Sequence, residues 1–487
     1  MTQPAFRRFW AARTLSLVGD YAFRIAFATH LITVTGSASV LAAATAALLV
    51  PSLLFYLVGG AVGDRTKARR RVLVVCDVAR VVVLLLIAAA TYWTTSALLL
   101  VALSLLIGIA DGFFMPVSFS YMLEITSRDK LVSANSALSV SMQFGLIGGP
   151  LIGGLLVGFV GAPATFAFDA LTFLFSGILL MVRPKGVTGA RPETTGETTG
   201  EAGVEPRQPL GEQLRRFGRD IVEALHYVRG VPWLLIFLGV GALVNAVFAG
   251  VLDVPIPLIM SPEGTSQAQS LGVFYALEGV GALIGAVILM RLTVKRLGTS
   301  MFAMLLMMAA ALTAVGFFGG GIPALALALL YGIGLHVFNS LYPSLLQDRV
   351  PENLTSRVGS LSFLGFDGLI PLGTLLMGPL VTTMDAQGAA MVAGAAAVLL
   401  SLAALLAPSI RGLKAEPPAD VPAAEPDLAP ADPSARTGPR PNEGEECPAP
   451  RSPRTSTPHA GADCTPAPRC RAPAGSTSCS VGCPVSP

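Results

Sequence analysis

Apolar residues fall along this chain in long blocks, and polar residues collect in the gaps between them. A helix that crosses a bilayer needs about 20 mostly apolar residues. Twelve blocks meet that length: 14–34, 40–63, 73–93, 97–118, 135–159 and 163–182, then, after a polar gap, 232–255, 270–290, 300–319, 322–345, 358–381 and 388–408. Lipid offers the backbone no hydrogen-bonding partner, so every block is expected to be helical. The pattern predicts an all-α polytopic membrane protein with twelve transmembrane helices in two groups of six. The boundaries it implies are 1–183 for an N-terminal half, 184–219 for a cytoplasmic linker, 220–412 for a C-terminal half and 413–487 for a disordered tail.

The polar gap opens with the low-complexity run TTGETTGE (194–201), which reads as flexible linker. The charged stretch EQLRRFGRDIVEALHYV (212–228) follows and reads as a short amphipathic helix on the cytoplasmic face. From about residue 415 the chain is rich in Pro, Ala, Ser and Thr and cannot bury enough apolar surface to fold.

Composition agrees with the blocks. Hydrophobic residues make up 53% of the chain and charged residues 13%, against about 25% charged in soluble domains. An ordinary soluble protein is therefore excluded, and the net charge of +3 gives nucleic-acid binding no support. The placement of charge is more informative. Lys and Arg fill the chain before block one (Arg7, Arg8, Arg13) and every second connection after it: 65–71, 128–130, the central gap, 291–296, 349–357 and the stretch after block twelve. The intervening connections hold no Lys or Arg, only Glu263 and Asp385. Basic loops stay on the cytoplasmic side, so both termini are expected in the cytoplasm of a cell whose inner membrane the chain crosses. Arg7, Arg8 and Arg13 ahead of an apolar run mimic a signal peptide, but Asp20 and Arg24 lie inside that run, so it is expected to stay as the first helix.

The six cysteines form no CxxC pair, and no phosphate-binding Gly-x4-Gly-Lys-Ser/Thr loop occurs. With no nucleophile–His constellation in the membrane part either, no enzyme activity, metal or cofactor is expected. Residues 127–138 (SRDKLVSANSAL) and 350–361 (VPENLTSRVGSL) share Leu, Ser and Leu positions at an offset of 223, as do Gly145-Leu146-Ile147 and Gly368-Leu369-Ile370. Six blocks separate the copies, so both enter the membrane from the same side, as in a parallel repeat.

Two stretches carry a specific order. The second connection reads GGAVGDRTKARRRV (59–72), and block five contains GLIGGPLIGG (145–154). Pro150 inside a helix removes a backbone hydrogen bond, and the glycines open a groove for a neighbour. The first stretch resembles the signature loop of the major facilitator superfamily, and the second resembles the motif of its drug:proton antiporters. The runs 6–20, 133–154 and 220–234 resemble the branch that includes the enterobactin exporter and the macrolide efflux proteins. The resemblance covers residues 5–412. Two departures stand out: block four, LLIGIADGFFMPVSF (105–119), has no arginine where many exporters of other branches carry one, and the second-half loop RLTVKRLG (291–298) lacks the Gly-x3-Asp core.

The resemblance implies alternating-access transport, with Gly60, Asp64, Arg65, Arg69 and Arg70 as a gating loop and Gly145, Gly149, Pro150, Gly153 and Gly154 as the antiporter motif. It also implies that helices one, four, seven and ten line a central cavity. Ionisable groups within a membrane are functional candidates by default. Asp20 and Arg24 lie one turn apart and can pair; with Asp111 they are expected to form one cluster that exchanges protons. Glu278 and Asp367 are further coupling candidates. Asp77 and Arg80 read as a local pair, and Asp169 and Asp253 as solvated near the outer surface. Phe27, Phe113, Met115, Asn245, Phe248, His336 and Asn339 are the cavity candidates, since aromatic and Met side chains suit bulky amphipathic substrates. The expected partners are protons, a small amphipathic substrate and the bilayer, and the expected state is monomeric. The expected activity is proton-driven efflux of amphipathic compounds. Alternatives are export of a single siderophore or secondary metabolite and, in another class, a non-transporting sensor or scaffold.

Overall fold

A computed structural model describes residues 4–66, 68–93, 96–182, 210–260, 266–292 and 294–414. The helices are α1 (Pro4–Thr35), α2 (Ala38–Arg65), α3 (Arg69–Trp93), α4 (Ala97–Ile125), α5 (Leu131–Val160), α6 (Ala162–Met181), α7 (Leu210–Gly230), α8 (Pro232–Asp253), α9 (Pro255–Ile259), α10 (Gln267–Arg291), α11 (Leu297–Phe318), α12 (Ile322–Arg349), α13 (Glu352–Gly368), α14 (Ile370–Leu406) and α15 (Pro408–Arg411). Among the described residues there is no strand. The expected tail 415–487 and most of the expected linker lie outside the described residues. Two boundaries are corrected. The chain is helical again from Leu210, inside the expected linker, and Leu413, assigned to the tail, packs into the core against Gly298.

Among the described residues eleven segments are long and apolar enough to cross a membrane, the last of them taking in both the eleventh and the twelfth expected blocks. That last segment is Arg357–Leu406, whose 50 residues would extend about 75 Å if straight. It is not straight. Asp385 has φ 66 and ψ 177, and its Oδ1 accepts the Gly388 N–H at 2.7 Å, which starts a new helical limb. Before the break the chain climbs alongside α8, from Phe366 at Gly241 to Gly373 at Gly250; after it the chain descends beside α11, from Met391 at Gly316 to Ile410 at Gly298. The two limbs are therefore antiparallel. A single residue with positive φ, Asp385, reverses the chain between them.

Two ends of the bundle can be distinguished. One carries the basic connections and the first and last described residues and is called here the basic end. The turns at the far end are short and rely on residues with positive φ, such as Gly161 (φ 89) between α5 and α6.

Helices approach closely where glycines remove side-chain bulk, as expected when packing rather than water drives association. A Cβ on Gly59 of α2 would lie 2.7 Å from the Gly112 carbonyl oxygen of α4. Along α1, Trp10 Nε1 donates to the Ala137 carbonyl of α5 at 3.0 Å, and the Thr14 and Ser141 hydroxyls share a bond of 2.7 Å. Further along the same pair of helices, Cβ atoms on Gly149 and Gly153 would meet Tyr21 and Ala22 at 2.5 and 2.7 Å. The helix-five run thus has one face for α1. Its other face meets α10: a Cβ on Gly154 would lie 2.6 Å from the Ala268 carbonyl oxygen, and one on Gly158 2.7 Å from Gln269 Nε2. On the opposite side Gly378 of α14 packs on Ser39 and Ala42 of α2. These two contacts join α1–α6 to the later helices near the far end. The α2 side continues toward the basic end as far as the Tyr56–Phe363 ring pair, 5.5 Å apart.

The amphipathic helix expected at 212–228 is α7. It packs against α13, where Arg357 pairs with Glu223 at 2.6 Å.

Candidate functional site

Charged groups of the first six helices gather around Arg80 of α3. This side chain is 2% exposed. Its Nη2 donates to Asp111 Oδ1 of α4, and its Nη1 stands 3.9 Å from Asp77 Oδ1. The rings of Phe114 and Phe173 lie 4.6 and 4.7 Å from the guanidinium carbon. Asp77 is itself fully buried, and its other oxygen accepts the Ser176 hydroxyl of α6 at 2.7 Å. A guanidinium is the cation best suited to such a place, because it is weakly hydrated, planar and able to face aromatic rings.

Sequence reading underrates this pair. Asp77 and Arg80 do pair locally, but Arg80 also reaches across to Asp111. The signal was present in the periodicity: the buried positions of α3 are Leu73, Cys76, Asp77, Arg80, Val83, Leu84, Ile87, Ala88 and Ala90. Both charges fall on the helix face that packs against protein. α4 lacks an arginine of its own, and α3 supplies one.

Other expected members of the site are placed as follows. Asp20 is partly buried, with Arg80, Asp111, Arg13 and Arg24 as its charged neighbours. The expected Asp20–Arg24 ion pair is absent among the described residues. Arg24 lies over the Tyr21 ring at 5.5 Å and is exposed. The carboxylates that act on it come from both sets of helices, Asp20 and Asp111 from one, Asp253 and Glu278 from the other, so it faces the space between them. Glu278 is 6% exposed and takes part in no hydrogen bond or ion pair among the described residues. Asp367 is half-buried near the end of α13, likewise without a partner there.

Asp169 and Asp253 are corrected from solvated to packed. Asp169 is 1% exposed, accepts from the Thr172 hydroxyl at 3.2 Å, and sits over Gly19 beside Asp20. Asp253 accepts the Thr374 hydroxyl at 3.0 Å. Arg13 was counted among the basic residues preceding the first helix. It lies well inside α1, with its Nη2 3.1 Å from Met115 Sδ and its guanidinium 5.4 Å from the Phe114 ring.

Of the cavity candidates, Phe27 and Phe248 are corrected to core residues. They are 3% and 1% exposed, and they pack on Phe23 and Tyr331 respectively. Phe113 packs on Phe55 at 5.4 Å. Asn245 donates to the Phe366 carbonyl at 2.9 Å, a staple between α8 and α13 beside the break at Leu369. His336 is half-buried against Gly285 of α10, while Met115 and Asn339 are exposed. Among the described residues no group of His, Cys, Asp and Glu could hold a metal ion.

In the signature loop, Arg69 Nε donates to the Gly63 carbonyl at 2.7 Å and its Nη1 pairs with Glu124 at 3.0 Å. Arg70 donates to the Met181 carbonyl at 2.9 Å. The loop thereby ties α2 and α3 to the ends of α4 and α6. Glu124 was not singled out from the sequence. Gly60 lies near Pro116 of α4, and the side chains of Asp64 and Arg65 lie outside the described residues.

The Ser176 bond gives a direct test of the cluster. Ser176→Ala leaves a buried carboxylate oxygen without its donor, a loss of about 1–3 kcal/mol. The purified variant should unfold at a lower temperature than wild type in a thermal-shift measurement. Ser136→Ala, at an exposed hydroxyl bonded only to its own helix, should leave the transition unmoved.

Long apolar helices that close around buried charges define a multi-pass membrane protein. Comparison with known proteins agrees with that class. The family model of the Major Facilitator Superfamily matches residues 9–374, and the chain belongs to that family. The enterobactin exporter EntS of Salmonella typhimurium is 26% identical over 314 residues, covering 62% of this chain and 68% of the relative. The Shigella flexneri protein of the same name is 24% identical over 314 residues, at 62% and 67% coverage. Among solved structures, an auto-inhibited peptide transporter of the POT family superposes with TM-score 0.63 at 15% identity, covering 85% of this chain and 99% of that one. The nucleoside transporter NupG gives 0.62 at 14%, with 83% and 98% covered. At such identities these structures speak for the fold.

Proposed function

We propose that this protein exports amphipathic small molecules across the inner membrane by alternating access, driven by inward proton flow. The observation that carries the reading is the double role of the helix-five glycines. Gly149 and Gly153 bind α5 to α1, while Gly154 and Gly158 bind it to α10 in the other set. They seal the far end beyond a set of charges that stay reachable from the space between the helices. With the basic end in the cytoplasm, this arrangement is the cytoplasm-open half of a transport cycle. Rocking α1–α6 against the later helices about this seam would open the far end and close the basic one. Asp20, Asp111, Glu278 and Asp367 are the carboxylates available for coupling, with Arg24 between the two sets. Moving one charge through 100 mV releases about 2.3 kcal/mol, enough to sustain a useful gradient. The two-half bundle is self-contained, so the working unit in this reading is a monomer.

The test is efflux of ethidium or Hoechst dye from cells stripped of their own pumps, with wild type and Asp20→Asn side by side. Wild type should expel the dye, an uncoupler should stop it, and Asp20→Asn should lose most of the activity at equal expression. Efflux that survives the uncoupler would remove proton coupling from the reading.

The similarity to the enterobactin exporters favours a second reading, export of one siderophore or secondary metabolite by the same cycle. Metabolite profiles of medium from producing cells with and without the gene separate the two. In this reading one compound disappears from the medium and dye efflux is unchanged.

A further inference from the structure

The start of α1 carries a charged face that the site above does not use. The run there reads PAFRRFWAA (4–12). Ala5, Phe6, Phe9 and Ala12 are buried, Phe9 against the Tyr121 ring of α4 at 5.7 Å. Residues three and four apart share a helix face, so Pro4, Arg7, Arg8 and Ala11 turn together away from that core. With Trp10 and with Leu179 of α6 they line a hollow of about 490 Å³, the size of a small-molecule site rather than of a single ion. Arg7 is exposed and Arg8 half-buried, and neither takes part in a hydrogen bond or ion pair among the described residues. At the end of α6 the Leu180 and Met181 carbonyls already accept from Arg70 of α3. No carboxylate lines the hollow. Leading away from it, α6 shows a bare apolar stripe of Leu171, Leu174, Phe175 and Ile178, all exposed and spaced to share one face. Leu179 lies one turn beyond Phe175.

We infer that this hollow binds an anionic phospholipid, its phosphate held by Arg7 and Arg8 and one acyl chain laid along the α6 stripe. Three observations select that ligand. Two cations with no acid beside them attract a negative headgroup, and they leave the amine of a zwitterionic one without a partner; basic pockets between helices at a membrane surface hold anionic headgroups in this way. A guanidinium also offers a planar fork that matches phosphate oxygens. The remaining walls, Pro4, Trp10, Ala11 and Leu179, suit glycerol and hydrocarbon rather than a free ion. Trp10 spends its Nε1 hydrogen on the Ala137 carbonyl and belongs to the residue type that marks the boundary of lipid and water. The stripe, finally, is a face that no other helix covers, where bilayer chains lie. The first turn of α1 adds the positive end of a helix dipole. A lipid so placed joins the start of α1, the helix of Asp20 and Arg24, to the end of α6. That the lipid comes from the cytoplasmic leaflet rests on the orientation proposed above; the site itself does not.

Native mass spectrometry of the purified, delipidated full-length protein reads the bound lipid directly. The protein is titrated with phosphatidylglycerol, with phosphatidylethanolamine of the same chains and with inorganic phosphate. Wild type should hold a single phosphatidylglycerol roughly tenfold more tightly than phosphatidylethanolamine, and inorganic phosphate should not displace it. Arg7→Gln with Arg8→Gln should weaken phosphatidylglycerol roughly thirtyfold, the effect of two arginines at about 1 kcal/mol each. Arg291→Gln with Arg296→Gln removes the same charge from exposed positions at the same end and should leave binding as in wild type. Ala11→Trp fills the hollow, keeps both arginines and should also lose the tight lipid. The inference is overturned if the two phospholipids bind equally, if the two double variants behave alike, or if Ala11→Trp binds as wild type does. Displacement of the lipid by inorganic phosphate alone would make the arginines a free-anion site and overturn it too. No efflux is read, so this site and the export reading can each fail while the other stands.

Discussion

Replacing Arg80 by leucine should remove about 3–5 kcal/mol of stability, the usual cost of stripping a buried charge pair of one partner. Most of the folded protein should disappear from the membrane fraction. Asp77 has no other cation within ion-pair distance among the described residues, and Asp111 would lose its only one. Most of the loss should come from stranded charge rather than from a missing bond. The triple variant Arg80→Leu, Asp77→Asn, Asp111→Asn should therefore regain most of the folded yield. Fluorescence-detected size-exclusion chromatography of tagged variants reads both. A single variant as abundant and as monodisperse as wild type would contradict this account of the cluster.

The second large effect is expected at the seam. A leucine at Gly154 would place its Cβ 2.6 Å from the Ala268 carbonyl and 3.2 Å from Gln269 Cα. Both neighbours are backbone, so α5 and α10 must separate. Overpacking of this kind costs about 1–3 kcal/mol, and every 1.4 kcal/mol is about a tenfold change in an equilibrium. Since the strain falls on the form closed at the far end, Gly154→Leu should shift the population toward the opposite form by roughly tenfold to a hundredfold. A cysteine placed at Ala42, buried under Gly378, should then react with a membrane-impermeant thiol reagent added to intact cells. Efflux should fall at least tenfold, by the same equilibrium argument. Gly148→Leu is the control, since nothing lies within 4 Å of its Cβ. Equal labelling of the two variants would count against the seam.

The fold was largely legible because bilayer chemistry permits so few solutions. Apolar blocks gave the helices, and the alternation of basic connections gave their sense. The last turn was legible as well: Thr382, Thr383, Asp385 and Gln387 interrupt the apolar run between the expected blocks 358–381 and 388–408, and Asp385 reverses the chain there. The site was less legible. Spacing along a helix identifies residues that are able to meet, and Asp20 and Arg24 satisfied that rule, yet Arg24 turns to Tyr21 and the space beyond. The Arg80–Asp111 bond joins residues 31 apart on two helices. Only the packing of α3 on α4 brings them together, and no local rule contains it. Phe27 and Phe248 show the reverse error: an aromatic residue on a cavity-lining helix can equally face the protein core, and composition does not say which. The glycine motifs read well because a missing side chain has one main use inside a membrane, the close approach of another helix.

The far-end turns have a consequence for reagents. The connections there are built on Gly36, Gly161, Gly319, Gly321 and Asp385, and each reverses the chain within a few residues. In the proposed orientation, with that end outward, a living cell displays very little of the described part of this protein to its surroundings. Antibodies raised against whole cells would find few epitopes among the described residues, since α9, between α8 and α10, is itself buried. A small-molecule blocker then has its best route through the basic end.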